Sequence, residues 1–294
     1  MSSEKKNINI VVPDHIKEEI KNLFSMQELL AMGLHFGSKF SHPKMRKNYI
    51  YCRTNGLNIF NLEKTSEMLQ VALEKIYEIV ASGKSIIILC TKKNSSSQLL
   101  KDMAESCGQY YISSRWMPGI LTNKETLKKT MDKIELLKVT LTKANKANKS
   151  KKIEAKELHK RQIKVEGINN CNLDNIGAVV SIFCDNLGIV AHECHKTGVP
   201  LIAVCDSDTK DHIVDKVNYV IPANDDGMKS IYLYLRLITH VARKGLEELY
   251  TRIKQNKEKQ DDNSTMGKLL KEQKMSELKN KNLNEKSSES VSQD

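Results

Sequence analysis

Between residues 26 and 245, short apolar runs alternate with stretches whose apolar residues recur at three and four, and no other feature narrows the fold as much. Such alternation yields a parallel sheet covered by helices, because the runs need both faces buried and each stripe has one face to bury. Met26 to Met32 reads as a short helix ended by Gly33. A basic loop, His42-Pro43-Lys44-Met45-Arg46-Lys47, then leads into a hairpin of Tyr49 to Cys52 and Leu57 to Phe60, turning at Asn55-Gly56, a dipeptide that tolerates positive φ. Asn61 caps a helix carrying Leu69, Ala72, Leu73, Ile76 and Val80, and Gly83 ends it. Ile86 to Cys90 is a buried strand, Ser95 to Cys107 a helix and Gln109 to Ile112 a strand. Ile176 to Phe183 and Val199 to Cys205 are further strands, with a helix around Ile189 to Lys196 between them. Pro222 and Asn224-Asp225-Asp226 stop a last strand and cap a final helix with Met228, Ile231, Leu235, Ile238 and Ala242 inward.

One segment breaks the alternation. Thr122-Asn123-Lys124-Glu125 fits a capping box, and Leu127, Met131, Ile134, Leu137 and Leu141 follow at heptad spacing. The chain then runs Lys143-Ala144-Asn145-Lys146-Ala147-Asn148-Lys149 with nothing to bury, before a second helical stretch from Ile153 to Val165. Two helices joined this way are expected to form an antiparallel coiled-coil hairpin projecting from the sheet, its tip coated in lysine. The expected organisation is an N-terminal extension (1–25), a globular α/β domain in two parts (26–121 and 169–245), the hairpin (122–168) and a charged tail (246–294) that frays into disorder.

The formal charge of +11 sits unevenly. Residues 1–25 carry four basic and four acidic groups and residues 246–294 ten of each, so the excess lies between, as 33 basic against 22 acidic. Lys138 to Lys164 alone holds ten basic groups against two acidic ones. A concentrated field of this kind attracts a polyanion, whereas a uniform excess only aids solubility. The apolar stretches fall far short of the ~20 residues that cross a bilayer, and the first 25 residues resemble neither a secretory signal nor a transit peptide. The expected location is therefore cytoplasmic, with no membrane partner. Seven cysteines, several inside apolar runs, read as reduced core residues.

An α/β sheet invites an enzyme reading, so its usual machinery matters. No G-x-G-x-x-G follows any strand, and Gly83-Lys84-Ser85 joins helix to strand, the reverse of the order a phosphate loop needs. His192-Glu193-Cys194-His195 gathers possible metal ligands, yet position 196 is Lys where a zincin helix needs its second His. The blander reading is a partly exposed helix. Asp206 and Asp208 follow a strand, at the sheet edge where α/β active sites form, and turn or capping work is the plainer reading. No catalytic residue, metal or cofactor is assigned.

Cations follow several turns and strand ends: Lys44, Arg46, Lys47, Arg53, Lys92, Lys93, Arg115 beside Trp116, then Lys124, Lys128 and Lys129. The expectation is that the fold brings them to one side, where phosphates bind and Trp116 stacks on a base or packs beneath a guanidinium. Lys146, Lys149, Lys151 and Lys152 at the hairpin tip complete the candidate contacts. An aromatic fraction of 5% argues against a single-strand stacking groove and for folded RNA read by shape and backbone. Two competing readings are an α/β enzyme for a phosphorylated small ligand, using Asp206, Asp208 and His192, and an adaptor whose hairpin grips another protein.

The chain resembles the bacterial-type small-subunit ribosomal protein S-two family. The resemblance runs in order from Met26-Gln27-Glu28-Leu29-Leu30 through Gly33-Leu34-His35-Phe36-Gly37, Pro43-Lys44-Met45, Asn61-Leu62-Glu63-Lys64-Thr65 and Thr91-Lys92-Lys93. It continues through Arg115-Trp116, Gly119, Leu121-Thr122-Asn123, Gly198-Val199-Pro200 and Ile221-Pro222-Ala223-Asn224-Asp225-Asp226. Departures are Ser38 for a second histidine, Ser41-His42 for Trp-Asn, Pro118 for Gly, Lys124 for Trp and Ala223 for Gly. The resemblance implies a flavodoxin-like parallel sheet with a protruding coiled-coil hairpin. It also implies a non-enzymatic structural constituent of the small ribosomal subunit, bacterial or organellar. The implied partners are small-subunit ribosomal RNA and neighbouring small-subunit proteins, including the large messenger-binding protein S-one.

Overall fold

Five parallel strands form the platform on which everything else is placed. In the computed structural model, residues 12–92, 95–143, 166–169 and 171–257 are described, and the chain divides into two units, Met1–Leu246 and Glu247–Asp294. Within the first unit the helices are α1 (Asp14–Asn22), α2 (Met26–Ala31), α3 (Pro43–Tyr49), α4 (Leu62–Ala81), α5 (Ser95–Ser106), α6 (Lys124–Lys143), α7 (Leu187–Thr197), α8 (Asp211–Val214) and α9 (residues 228–246). The strands are β1 (Ile50–Thr54), β2 (Leu57–Phe60), β3 (Ser85–Cys90), β4 (Tyr110–Ile112), β5 (Ile176–Phe183), β6 (Leu201–Cys205) and β7 (Tyr219–Pro222). In the second unit, residues 247–257 are helical.

The large sheet runs in the order β4-β3-β5-β6-β7, all parallel, and β1 pairs with β2 in a separate antiparallel hairpin. Numbered within the sheet, that order is the 2-1-3-4-5 arrangement of flavodoxin-like doubly wound folds. Strand alternation sorts the side chains into two cores. Ile86, Ile88, Ala178, Val180, Ile182 and Ile202 face one side, with Leu69, Leu73, Ile76, Ile231, Leu235 and Ile238. Ile87, Leu89, Val179, Leu201 and Ala203 face the other, with Met45, Trp116, Leu127, Val190 and Cys194. Each aliphatic side chain so buried contributes about 1.5–3 kcal/mol relative to exposure.

Local signals set the boundaries. Asn55 (φ 51°) and Gly56 (φ 77°) make the left-handed pair that a two-residue hairpin needs. Asn61 Oδ1 accepts from Glu63 N at 3.0 Å to start α4, and Gly198 (φ 70°) ends α7. Three expectations need correction. The basic stretch at 42–47 is helix α3, opened by Pro43 at its first position, with only Met45 fully buried. The cap of α6 is Asn123, whose Oδ1 accepts from Thr126 N, rather than Thr122. Met228 is 42% exposed and does not share the inward face of α9.

The described part of the N-terminal extension, from Val12 on, also folds. Val12, Ile16, Ile20 and Phe24, four residues apart, bury themselves in the first core, and Glu19 holds Lys244 of α9 at 3.1 Å. The hydrogen bond from Lys244 and its charge, with a lesser contribution from His240, hold the Glu19 carboxyl below its usual range despite partial burial. The first arm of the expected hairpin is present as α6, whereas its tip, its second arm and the tail beyond residue 257 lie outside the described residues. Among the described residues no helix is long and apolar enough to cross a membrane.

Candidate nucleic-acid interface

From Leu29 to Leu62 the sequence contains no aspartate or glutamate and five cations, Lys39, Lys44, Arg46, Lys47 and Arg53. This acid-free run folds as a loop, α3 and the β1–β2 hairpin, and it lies against the carboxyl ends of β6 and β7. The loop pairs with β2: Gly37 N donates to Asn58 O at 2.8 Å, Phe60 N to His35 O at 2.8 Å, and Phe36 bridges Ile59. Asn224, just past β7, receives the other end, its N donating to Leu34 O and its Nδ2 to Gly33 O.

Carboxylates at the strand ends anchor the run. Asp206 accepts from Ser38 Oγ at 2.6 Å, Ser38 N at 3.3 Å and Ser207 N at 2.6 Å. Burial raises its pKa, and the hydrogen bonds from Ser38 and Ser207 pull the other way. Asp211 Oδ1 accepts from Lys44 N, and Asp215 pairs with Lys44 Nζ. A cleft of about 750 Å³ at this edge is lined by Asp185, Asp206, Asp208, Asp225 and Asp226 together with Lys210, His212 and Lys216. Burial, then the charges of Asp206, Asp208 and Asp226, push the Asp225 carboxyl up to about 7. So many carboxylates repel phosphate. At the edge that holds ligands in enzymes of this topology, the chain's own loop is fastened to Asp206 and an acidic cleft remains beside it.

The candidate cations do not share one rim. Arg46, Lys47 and Arg53 are exposed on the acid-free run. Ser41 orients Arg46, accepting from Nε at 2.9 Å and from Nη2 through its carbonyl at 3.2 Å. Lys92 follows β3 at the same edge, paired with Asp226 and 5.6 Å above the Phe183 ring. Lys124, by contrast, pairs at 2.9 Å with Asp174, which immediately precedes β5, so it lies at the amino ends of the strands with Lys128 exposed one turn on. Six-residue β3 separates the two edges by about 20 Å at about 3.3 Å per residue. That exceeds the ~8 Å screening length at physiological salt, so the two groups act as separate fields. Arg115, exposed, sits on the connection between them. Lys93 and the hairpin lysines Lys146, Lys149, Lys151 and Lys152 lie outside the described residues.

Trp116 is a correction. It is 1% exposed in the second core, so its ring has no free face for a base. Its Nε1 donates to Glu193 Oε1 at 3.3 Å, and the same carboxylate accepts from Gly119 N at 2.6 Å and Leu121 N at 3.2 Å. Glu193, 5% exposed on α7, therefore ties down the connection that carries Arg115. The sequence placed it among metal ligands, and the signal for its real role was its position beside Val190, Ala191 and Cys194 on the inward stripe. Its neighbour His192 is exposed on α7 and lines no part of the Asp206 cleft, so the trio of the enzyme reading is not assembled. Among the described cysteines four are buried, and Cys52 departs from expectation by being exposed on β1.

With this geometry in place, the comparison with known proteins is decisive. Residues 29–245 match the family of ribosomal protein S2. The chain belongs to the ribosomal protein S2 family. Its relatives include small ribosomal subunit protein uS2 of Rickettsia akari, 36% identical over 230 residues that cover 76% of each chain. The protein of the same name from Shewanella pealeana is 34% identical over 227 residues, 75% of this chain and 91% of the relative. That of Rickettsia canadensis is 33% identical over 269 residues, 87% and 89% of the two chains. The S2 family is structural and not a family of enzymes, which agrees with carboxylates that serve as internal hydrogen-bond acceptors. The matched span begins inside α2, so helix α1 lies ahead of the matched S2 region.

Proposed function

We propose that this chain is a structural constituent of the small ribosomal subunit and that it binds small-subunit ribosomal RNA chiefly through the acid-free run. The observation that carries the reading is the combination of S2 membership over residues 29–245 with five cations and no acid between Leu29 and Leu62. Arg46, Lys47 and Arg53 contact phosphates directly, while Lys44 and Lys92 hold the run and its edge in place. Arg115, Lys124 and Lys128 form a second, separate contact, and the hairpin with Lys146, Lys149, Lys151 and Lys152 a third. Neighbouring small-subunit proteins, the messenger-binding protein S-one among them, are the remaining partners, and the resemblance alone supports that last assignment.

The test is sedimentation of native extract in moderate magnesium. The chain is expected in the small-subunit peak, and its presence only in soluble fractions would overturn the reading. Binding to isolated small-subunit RNA should also fall steeply with salt, by ~10³ to 10⁵ between 50 and 200 mM if six to ten phosphates are neutralised. Charge reversal of Lys47 and Arg53 should lower that affinity. Reversal of Lys146, Lys149, Lys151 and Lys152 should lower it too, where an adaptor hairpin that grips protein would leave it unchanged.

A further inference from the structure

Three aromatic rings on the acid-free run are exposed, and of these Phe36, 45% exposed, lies against the His35 ring at 3.9 Å, which leaves Phe40 and Tyr51. Phe40 is 59% exposed and Tyr51 77% exposed, although both belong to a segment whose Leu34, Met45 and Phe60 are fully buried. The ledge that carries them is narrow. Residues 35–38 pair with β2 on one side and β1 pairs with it on the other. Three adjacent strands span about 10 Å, the length of about three stacked nucleotides. Arg53 Nη2 bridges this ledge, donating to Lys39 O at 3.3 Å and Gly56 O at 3.5 Å, so its guanidinium is held next to the backbone that enters Phe40. Tyr51 lies two residues before Arg53, at the bulge where β1 gains a residue between Ile50 and Cys52. Bulges of this kind re-aim a side chain away from the ladder. An edge-to-face contact with His42, ring centroids 5.1 Å apart, orients the Phe40 ring.

We infer that Phe40 and Tyr51, with Arg53 held against the Lys39 backbone next to Phe40 and Lys39 and Lys47 on the same run, form a stacking subsite for unpaired RNA bases. Exposed rings by themselves would suit a protein partner equally well. What selects RNA is charge: from Leu29 to Leu62 the run has no carboxylate of its own, among the described residues only Lys44 of its five cations is ion-paired, with Asp215, and rings set among cations take any base by its π-face. The subsite therefore reads bases splayed from a bulge or loop of a folded RNA. It complements backbone contacts elsewhere on the chain. This deepens the ribosomal RNA reading and rests on it.

The experiment uses the purified full chain with two probes, a short fluorescent oligouridylate and inorganic polyphosphate of similar charge. Phe40→Ala and Tyr51→Ala should each weaken oligouridylate binding about 5- to 150-fold and leave polyphosphate binding and the salt slope unchanged. Phe40→Trp and Tyr51→Phe should retain the affinity, whereas Lys47→Gln should reduce the slope by about one phosphate. Melting curves matching the parent show that the fold is intact, as exposed positions allow. Unchanged oligouridylate affinity in both alanine variants would overturn the subsite, as would equal losses on the two probes. Loss of a neighbouring protein from the particle with RNA affinity intact would also overturn it, by assigning the rings to a protein contact. These failures are distinct from failure of the ribosomal reading: variants that still sediment with the small subunit leave that reading standing.

Discussion

Two buried carboxylates, one on helix α7 and one just past strand β6, do the same kind of work in opposite surroundings. Glu193 sits alone inside the second core and accepts from the Trp116 indole and from two backbone N–H groups. Asp206 stands in a cleft with Asp208, Asp225 and Asp226 around it and accepts from Ser38 and Ser207. The first anchors the connection that carries Arg115, and the second anchors the ledge that carries Lys39, Phe40 and, through Arg53, the hairpin. The difference lies in company. Glu193 has neutral donors only, so its anchorage depends on burial. The Asp206 edge gathers acids beneath a segment that has none, so a positive surface is built on a negative foundation. In this chain the ligand edge of an α/β sheet has become the footing of an interface.

The comparison breaks most visibly at Glu193. In Glu193→Ala the indole N–H and the N–H groups of Gly119 and Leu121 lose their acceptor in a dry interior. Each such group costs about 1–3 kcal/mol, and with partial relaxation the total is about 4 kcal/mol. Thermal unfolding at neutral pH should show that loss, and hydrogen exchange should quicken at Gly119 and Leu121. A variant that melts like the parent would show that the connection holds itself.

Asp206→Ala should cost less, about 2–3 kcal/mol, because the cleft is open and water can reach Ser38, which lines it. Its signature is local. Exchange should quicken over residues 37–41 and RNA affinity should fall, whereas Glu193→Ala should leave residues 37–41 protected. If both variants loosen the same loop, the two anchors are not separate.

These anchors mark the limit of what the sequence conveyed. The sheet was legible because Ile86 to Cys90 and Ile176 to Phe183 are runs that only a doubly covered strand can bury, and the hairpin because Asn55-Gly56 dictates its turn. Helix α3 was not, since Lys44, Arg46, Lys47 and Asn48 leave one buried residue and no periodicity to find. Helix α1 was legible in principle, with Val12, Ile16, Ile20 and Phe24 each four apart. The path of the loop onto Asp206 was beyond reach, because Ser38 and Asp206 are 168 residues apart and nothing local encodes their meeting. The expectation of one basic rim failed for the same reason: strand ends look alike in sequence whichever edge they reach. Cations were counted where missing acids were the better signal.

Asp225 sharpens the contrast through pH. Its pKa is raised from 3.8 to about 7, first by burial and then by Asp206, Asp208 and Asp226. A folded pKa above the unfolded one means that its contribution is full below about pH 4 and is lost as pH rises through about 7. Asp225→Asn, always neutral, should therefore melt higher than the parent at pH 8, by roughly 1–2 kcal/mol after allowing for the open cleft, with the gap closing toward pH 4. A pH-independent gap in Asp225→Asn would remove the acidic cluster from the account of this edge.

The smallest effect belongs to Lys44. Its Nζ pairs with Asp215 where both side chains are half exposed, and such pairs contribute at most about 1 kcal/mol. Lys44→Gln should thus melt within about 1 kcal/mol of the parent, since Lys44 N keeps its bond to Asp211 Oδ1 whatever the side chain. RNA affinity should nevertheless drop more than stability does, because Asp211 and Asp215 lose the cation that screens them from approaching phosphate. Measured against Lys47→Gln, the two variants divide the acid-free run by function. Lys47 should lower the salt slope by about one, as a direct phosphate contact does, and Lys44 should lower affinity through residual repulsion with little change in slope. Equal slopes for both would place Lys44 on the RNA itself and leave the acidic edge without its assigned counterion.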